Sequence, residues 1–380
     1  MKKLAILGAS GSIGRQTLDL LKNNKIEYEL IGVSIGKNIG VLQEILNNFS
    51  SIKYAYLVDE KAKDELSIKY KNIKFFCADK MQDFIQECNA DMYVNALVGF
   101  VGVLPSFKVI EMNKNLALAN KETLVCGGKL FIKKLKKSES KLFPIDSEHV
   151  AIEKCLKGNR KNLKTIILTC SGGPFCDYSY EQLQTVSKDD ALKHPTWKMG
   201  NKISIDSATL INKVFEIAEA FYLFNYSKIK ILIHKESLVH SLIELNDGNY
   251  LLDLGINDMQ IPISYALKNN KRANINKSLN IYSISNLTFK EPNQFQKKIL
   301  ELGYLIIKKG GNLGTIINAA NDFAVEKFLN GEIKFLDIYT IINYAIDKTK
   351  YIKNMSLHDI ISTNDFVKDL LKNYFDKRGQ

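Results

Sequence analysis

Two rhythms alternate along the N-terminal part of the chain. Apolar runs of strand length lie at Lys3–Leu7, Glu29–Ser34, 54–58, 73–77, 92–97, 115–119 and 141–145. Between them, 13–22, 60–68, 80–89 and 104–112 space their apolar residues at helical intervals, and another helix opens after residue 122. This alternation predicts a mostly parallel sheet with helices on both faces. From Val150 the character changes. A short helix over 150–156 leads to a β-branched strand at 165–169, and a helix is expected over 208–224 with Ser207 as its N-cap. Sheet is expected over 229–245, followed by an Asp247-Gly248 hairpin turn into Tyr250–Leu254. Residues 279–293 carry few periodic cues and read as a linker. Amphipathic helices follow at 295–308, 314–329, 335–346 and 363–374.

The turn after the first strand, Gly8-Ala9-Ser10-Gly11-Ser12-Ile13-Gly14, makes the N-terminal sheet chemically specific. Strand, glycine-rich turn and helix is the setting in which close backbone approach and a positive helix N-terminus receive a pyrophosphate. After the second strand, a site for NAD ordinarily carries an acid for the ribose 2′-hydroxyl. This chain has Ser34-Ile35-Gly36-Lys37-Asn38 there. Lys37 would attract a 2′-phosphate, and Ser34 and Asn38 could hydrogen-bond it, so NADP is expected over NAD. The expected class is α/β: an N-terminal Rossmann-like parallel sheet, a central α+β catalytic domain and a small C-terminal helical domain. The expected boundaries are 1–146 for the cofactor domain, 147–278 for the catalytic domain, 279–296 for the linker and 297–380 for the helical domain.

Composition narrows the class further. A chain of 380 residues suggests two or three domains, and 46% hydrophobic with 25% charged residues is ordinary for a soluble protein. Six cysteines, at 77, 88, 126, 155, 170 and 176, lack the spacing of a disulfide framework or a zinc site. The longest apolar runs, 165–168 and 304–307, are too short to span a bilayer, and with a strand expected from Lys3 and no basic-then-apolar stretch before it, secretion is not expected. A reducing cytoplasm is expected. The formal charge of +12 comes from lysines spread over most helices and loops. Such a balance attracts phosphorylated small molecules or nucleic acid by long-range field, but it more often reflects a lysine-rich proteome, and with no recognisable binding module no nucleic-acid partner is expected.

Several polar clusters carry candidate chemistry. Asn120-Lys121-Glu122 follows a strand, and Lys121 would lie at the same sheet edge as the glycine turn. Asp146-Ser147-Glu148-His149 delivers two acids to another strand end, as a helix cap or as a site. Ser171-Gly172-Gly173 exposes successive amides and a hydroxyl suited to an anion. The loop 193–202 holds His194, the single tryptophan Trp197, Met199 and Gly200, and reads either as a closing lid or as an anchored loop. Asn212 and Glu216 share a helix face beside Lys213.

In their order and spacing these segments, with Asn318-Ala319-Ala320-Asn321 in the tail, resemble the 1-deoxy-D-xylulose 5-phosphate reductoisomerase family over nearly the whole length. The resemblance implies conversion of 1-deoxy-D-xylulose 5-phosphate to 2-C-methyl-D-erythritol 4-phosphate, by metal-assisted isomerisation and hydride transfer from NADPH, in the non-mevalonate isoprenoid pathway. It implies Asp146, Glu148 and Glu216 as ligands of Mg2+ or Mn2+, with Lys121 completing the catalytic set. Ser171, Ser207, Asn212 and Lys213 match the phosphate-binding group, with His194 at the same end. Lys121, Ser147 and Glu148 match contacts to the reacting carbons, and Trp197 with Met199 matches the lid. Ser10, Gly11, Ser12, Ile13, Gly36, Lys37, Asn38, Asn120, Glu122 and Gly200 match NADPH contacts. A homodimer is implied as well. Three positions depart from the family pattern: Ser10 stands for the usual threonine, Cys170 for a small residue, and Val214-Phe215 is bulkier than usual. Cys170 would tighten its loop or make it oxidisable. A dehydrogenase of sugar phosphates or semialdehydes, needing no metal, and a nucleotide-sensing protein are the competing readings.

Overall fold

The structure is a computed structural model and describes residues 1–23, 25–193 and 200–376. Its elements begin β1 (Lys3–Leu7), α1 (Ser12–Lys22), β2 (Glu29–Ser34), α2 (Ile39–Asn48), β3 (Tyr54–Tyr56), α3 (Glu60–Lys69) and β4 (Lys74–Phe76). Next come α4 (Met81–Cys88), β5 (Met92–Asn95), α5 (Val103–Glu111), β6 (Asn115–Leu118), α6 (Glu122–Leu135), β7 (Leu142–Pro144) and α7 (Ser147–Leu156). The second half opens with β8 (Leu163–Cys170), α8 (Tyr180–Leu183), α9 (Lys188–Ala191), α10 (Asn201–Ala208) and α11 (Ile211–Phe224). It continues through β9 (Ile229–Ile233), β10 (Val239–Leu245), β11 (Tyr250–Leu254) and α12 (Gln260–Leu267). Four helices close it: α13 (Gln294–Lys309), α14 (Leu313–Leu329), α15 (Asp337–Lys348) and α16 (Leu357–Asp376).

These elements form two compact units. The first comprises 1–123, 133–147 and 258–277; the second comprises 124–132, 148–257 and 278–380.

The first unit is built on a seven-stranded sheet in the order β4-β3-β2-β1-β5-β6-β7, and every pairing is parallel. Leu4, Ala5, Ile6 and Leu7 of the central strand are wholly buried, which is why that strand reads as unbroken apolar sequence rather than alternation. The alternation of strands and helices therefore gives the expected α/β class. Helix α2 fills the stretch between the second and third expected strands, for which the sequence reading named no element. Helix α12, also unforeseen, joins this unit through Ile263, Ala266 and Leu267 in its core, and Tyr28 Oη donates to the Leu267 carbonyl at 3.1 Å.

The second unit has a four-stranded sheet in the order β11-β10-β8-β9, with β8–β9 parallel and β10 antiparallel to both β8 and β11. The expected sheet over 229–245 is thus two strands that do not pair, because β8 lies between them. His234 makes the break: its Nε2 accepts from the amides of Leu238 and Val239 at 3.2 and 3.1 Å, turning the chain. The Asp247-Gly248 turn forms as expected, with Gly248 at φ +88°. Helix α13 crosses α11 closely at Gly303, where a Cβ would lie 2.9 Å from the Val214 carbonyl oxygen.

The expected helix over 208–224 is also two helices. Leu210 adopts a left-handed backbone at φ +63°, so α10 ends at Ala208 and α11 starts at Ile211. Ser207 therefore sits in the last turn of α10 rather than capping the helix that follows.

Candidate active site

The glycine turn of the first unit is held from below by β2. The amides of Gly8 and Ala9 donate to the Ser34 carbonyl at 3.1 and 2.8 Å, and the Gly8 amide also donates to Ser34 Oγ at 2.9 Å. Ser34 is buried by this work, so its hydroxyl braces the turn instead of reaching a 2′-phosphate as the sequence suggested. Gly14 permits the tight packing of α1 on the turn: a Cβ there would lie 2.4 Å from the Gly8 carbonyl oxygen. Helix α1 begins at Gly11 without a side-chain cap and without an acid in its first turn, which leaves its positive end to an anion. Ser10 and Ile13 are half-buried and Gly11 and Ser12 exposed along this turn. Gly36, Lys37 and Asn38 are exposed after β2, and Asn38 caps α2 by accepting from the Val41 amide at 3.2 Å.

Asn120 and Glu122 sit at the end of β6 with their side chains turned to protein. Asn120 Nδ2 donates to the carbonyls of Leu97 and Gly99, each at 2.9 Å, and the Gly99 amide donates to Glu122 Oε1 at 3.0 Å. Both are buried, so they fix the loop after β5. Between them, Lys121 Nζ donates to Asp146 Oδ2 at 2.9 Å across the ends of β6 and β7. The ammonium orients the Asp146 carboxylate, and both side chains keep an edge open to solvent at 11% and 14% exposure.

The second unit gathers its charge around Lys213 on α11. Its Nζ donates to Glu148 Oε1 at 2.9 Å, to the Thr169 carbonyl at 2.6 Å and to Glu216 Oε2, so all three ammonium protons are engaged. Glu216 Oε1 accepts from Asn212 Nδ2 at 2.5 Å, the pairing that their shared helix face predicted. Burial alone would lower the proton affinity of Lys213. The carboxylates of Glu148 and Glu216 outweigh it and hold the ammonium above its ordinary value. His149 Nε2 bonds the Glu216 carbonyl at 3.1 Å, and since a carbonyl only accepts, that nitrogen carries the proton. Its Nδ1 lies 3.9 Å from Glu219 Oε2. Sequence reading gave Glu219 and the Thr169 carbonyl no role. The first is signalled only by its place three residues after Glu216, and the second, a backbone atom, by nothing.

Beyond β8 the Ser-Gly-Gly turn places Gly172 and Gly173 in succession at φ +80° and +68°. The Gly173 amide donates to Ser171 Oγ at 3.1 Å. A Cβ at Gly173 would lie 2.8 Å from the Ser207 carbonyl oxygen, so only glycine lets the turn meet the end of α10. The segments of Ser171 and Ser207 are thereby brought together, with both side chains half-buried. The Cys170 thiol, pushed up to about 12 by burial, stays protonated at neutral pH, which argues against an oxidisable residue. Val214 and Phe215 fill the core completely, so their bulk is accommodated away from solvent. Gly200 is an exposed N-cap of α10. His194, Trp197 and Met199, and with them most of the loop 193–202, lie outside the described residues. Ser147 is half-buried at the start of α7.

Glu148 and Glu216 thus present hard oxygen donors to one buried cation, and Asp146 precedes Glu148 by two positions. That donor set fits Mg2+ or Mn2+ better than a softer metal.

Comparison with known proteins agrees in extent and in kind. A family model described as 1-deoxy-D-xylulose 5-phosphate reductoisomerase matches residues 4–128. Models of the same family's C-terminal domains match 142–224 and 254–370. The Clostridium kluyveri 1-deoxy-D-xylulose 5-phosphate reductoisomerase is 43% identical over 387 aligned positions, covering 99% of this chain and 100% of that one. The Clostridium beijerinckii protein of the same name is 44% identical, covering 98% and 99%. Among solved structures, the Zymomonas mobilis reductoisomerase in complex with NADPH superposes with a TM-score of 0.87 at 34% identity, covering 97% of each chain. A reductoisomerase in complex with NADPH, fosmidomycin and magnesium gives 0.92 at 31% identity, covering all of both chains. With relatives this similar matched from end to end, the chain belongs to the 1-deoxy-D-xylulose 5-phosphate reductoisomerase family.

Proposed function

We propose that this chain converts 1-deoxy-D-xylulose 5-phosphate to 2-C-methyl-D-erythritol 4-phosphate, with NADPH and Mg2+ or Mn2+. The observation that carries the reading is the convergence of Glu148 and Glu216 on the buried ammonium of Lys213. Two carboxylates already arranged about a cation suit a divalent ion, and Asp146 supplies the third. When bound, the ion supplies Lewis acidity at the substrate carbonyl and NADPH supplies the hydride.

The residues of the chain divide the remaining work. Ser171, Ser207, Asn212 and Lys213 bind the substrate phosphate together with His194, and the tight seat of Gly173 on Ser207 supports a shared anion pocket. Lys213 reaches a phosphate by exchanging one of its present carboxylate bonds. Lys121 holds Asp146 and, with Ser147 and Glu148, touches the reacting carbons. Trp197 closes the site with the loop 193–202 and excludes water. Ser10, Gly11, Ser12 and Ile13 take the pyrophosphate, and Gly36, Lys37 and Asn38 take the 2′-phosphate. Asn120 and Glu122 serve the cofactor by fixing the loop after β5, and Gly200 is a further cofactor contact. Residues 1–146 act as the cofactor domain, 147–278 as the catalytic domain and 297–380 as the helical domain, joined through 279–296. Among the described residues no helix is long and apolar enough to cross a membrane. We place the enzyme in the cytoplasm as a homodimer. The exposed Tyr250 and Leu252 on β11, an edge strand, support a second copy there.

The deciding measurement is NADPH oxidation with 1-deoxy-D-xylulose 5-phosphate in the presence and absence of Mn2+. Metal-dependent oxidation is expected. Turnover that a chelator leaves untouched, or none from folded protein, would overturn the proposal.

A further inference from the structure

The tail segment Asn318-Ala319-Ala320-Asn321 has no part in the chemistry above, yet its asparagines are wholly buried in α14. Asn321 Nδ2 donates to Asp206 Oδ1 at 2.8 Å, and Lys202 Nζ bonds the other oxygen, Asp206 Oδ2, at 2.8 Å. Both oxygens of a carboxylate that is only 3% exposed are therefore fixed, one by α14 and one by its own helix α10. Lys202 also reaches Asp322 Oδ1 at 3.2 Å and lies over the Phe215 ring of α11 at 5.4 Å. Asn318 Nδ2 in turn donates to Asp322 Oδ2 at 3.2 Å. One connected network thus ties α14 to α10 and α11.

Asp206 immediately precedes Ser207. With Asp206 bonded to Asn321 and Lys202 to Asp322, both of α14, α10 cannot rotate about its axis without breaking the buried Asp206–Asn321 bond, and Ser207, one residue on, keeps its azimuth. On the other side, Gly173 packs against the Ser207 carbonyl. We propose that Asp206, Asn321 and Lys202 are positioning residues that set Ser207 for the substrate phosphate, making α14 of the C-terminal helices part of the phosphate subsite. The inference rests on the phosphate role given to Ser207 above.

The test uses the full-length chain with Asn321→Leu, Asp206→Asn and the exchange D206N/N321D, which reverses donor and acceptor. The readouts are KM for 1-deoxy-D-xylulose 5-phosphate, KM for NADPH, kcat, and binding of inorganic phosphate by calorimetry. Asn321→Leu is expected to weaken substrate KM and phosphate binding by about tenfold, a loss of ~1.4 kcal/mol, while kcat and KM for NADPH move less than about threefold. The exchange is expected to bring both back to within about threefold of the parent. A lowered melting temperature with unchanged substrate KM and phosphate affinity would overturn the proposal, as would an exchange no better than the single variants. Should Asn321→Leu fail to fold, the exchange and Lys202→Met decide by the same criteria. A parent protein that binds phosphate but oxidises no NADPH refutes the assigned reaction, and phosphate binding lost in Asn321→Leu then still upholds the positioning role.

Discussion

Lys213 and Glu148 are 65 positions apart in the chain, yet Lys213 Nζ donates to Glu148 Oε1 at 2.9 Å. The same ammonium bonds Glu216, so one lysine holds two acids of the proposed metal site in place. Replacing it by methionine leaves both carboxylates facing each other with no cation between them. Breaking a buried ion pair costs about 3–5 kcal/mol, and the 20% exposure of the Glu148 side chain argues for the lower end. Saturating Mn2+ would replace the missing charge. Ligand at a hundred times its Kd stabilises a folded protein by about 2.7 kcal/mol. The increment in urea stability on adding Mn2+ is therefore expected to be larger in Lys213→Met than in the parent, with kcat/KM reduced. Equal increments would show that the lysine and the metal do not share these acids.

Two glycines of the cofactor region separate packing from flexibility. A Cβ at Gly14 would lie 2.4 Å from the Gly8 carbonyl oxygen and 2.6 Å from Ala9 Cα, whereas at Gly36 nothing lies within 4 Å. Backbone atoms cannot swing aside as side chains do. Gly14→Ala is expected to destabilise by about 1–3 kcal/mol in chemical denaturation. Gly36→Ala is expected to leave stability unchanged or raise it by about 0.4–1 kcal/mol through the unfolded chain. A neutral Gly14→Ala would mean that the glycine turn has room to spread.

His240 gives the fold an acid-sensitive point outside the proposed site. Burial is the main influence and lowers its proton affinity below the ordinary 6.5, with the Asp253 charge acting in the opposite direction. As pH falls, the unfolded chain takes up this proton before the folded one does. The contribution is therefore fully present above about pH 6.5 and lost progressively as the pH falls below it. His240→Gln is expected to flatten the decline in urea midpoint below about pH 6.5 relative to the parent. Parallel profiles for the two proteins would assign acid sensitivity elsewhere.

What the sequence disclosed follows from the range of the interactions involved. The parallel sheet was legible because wholly buried strands such as Leu4–Leu7 leave an apolar imprint that needs no partner to be read. The pairing of Asn212 with Glu216 was legible because four positions is one helical turn. The break at Leu210 was not, since a left-handed leucine has no local signal and Ser207 before an apolar run resembles a cap. Asn120 and Glu122 read as candidate ligand contacts from their place at a strand end, whereas the bonds from the Asn120 amide to the carbonyls of Leu97 and Gly99 left no local signal. Asn321 stood out as a motif, yet its partner Asp206 lies 115 positions away and only the packing of α14 on α10 pairs them.

In the proposed enzyme the choice of NADPH over NADH would fall to Lys37. Gly36 and Asn38 flank it in an exposed turn; Asn38 caps α2 with its side-chain oxygen and offers only its neutral amide as a donor, and Ser34 is buried beneath the glycine turn. Of the residues the sequence offered for a 2′-phosphate, Lys37 is left as the one full positive charge. A charge-assisted hydrogen bond contributes about 1.5–3 kcal/mol, so Lys37→Ala is expected to raise KM for NADPH by roughly ten- to a hundredfold. NADH, lacking the phosphate, should bind the parent and the variant alike. The difference between the cofactors should also narrow as salt is added, because an exposed charge pair is screened over a Debye length of about 10 Å at 0.1 M. If both cofactors weaken together, Lys37 supports the turn rather than the phosphate. A discrimination that survives in Lys37→Ala would instead place the 2′-phosphate on backbone amides.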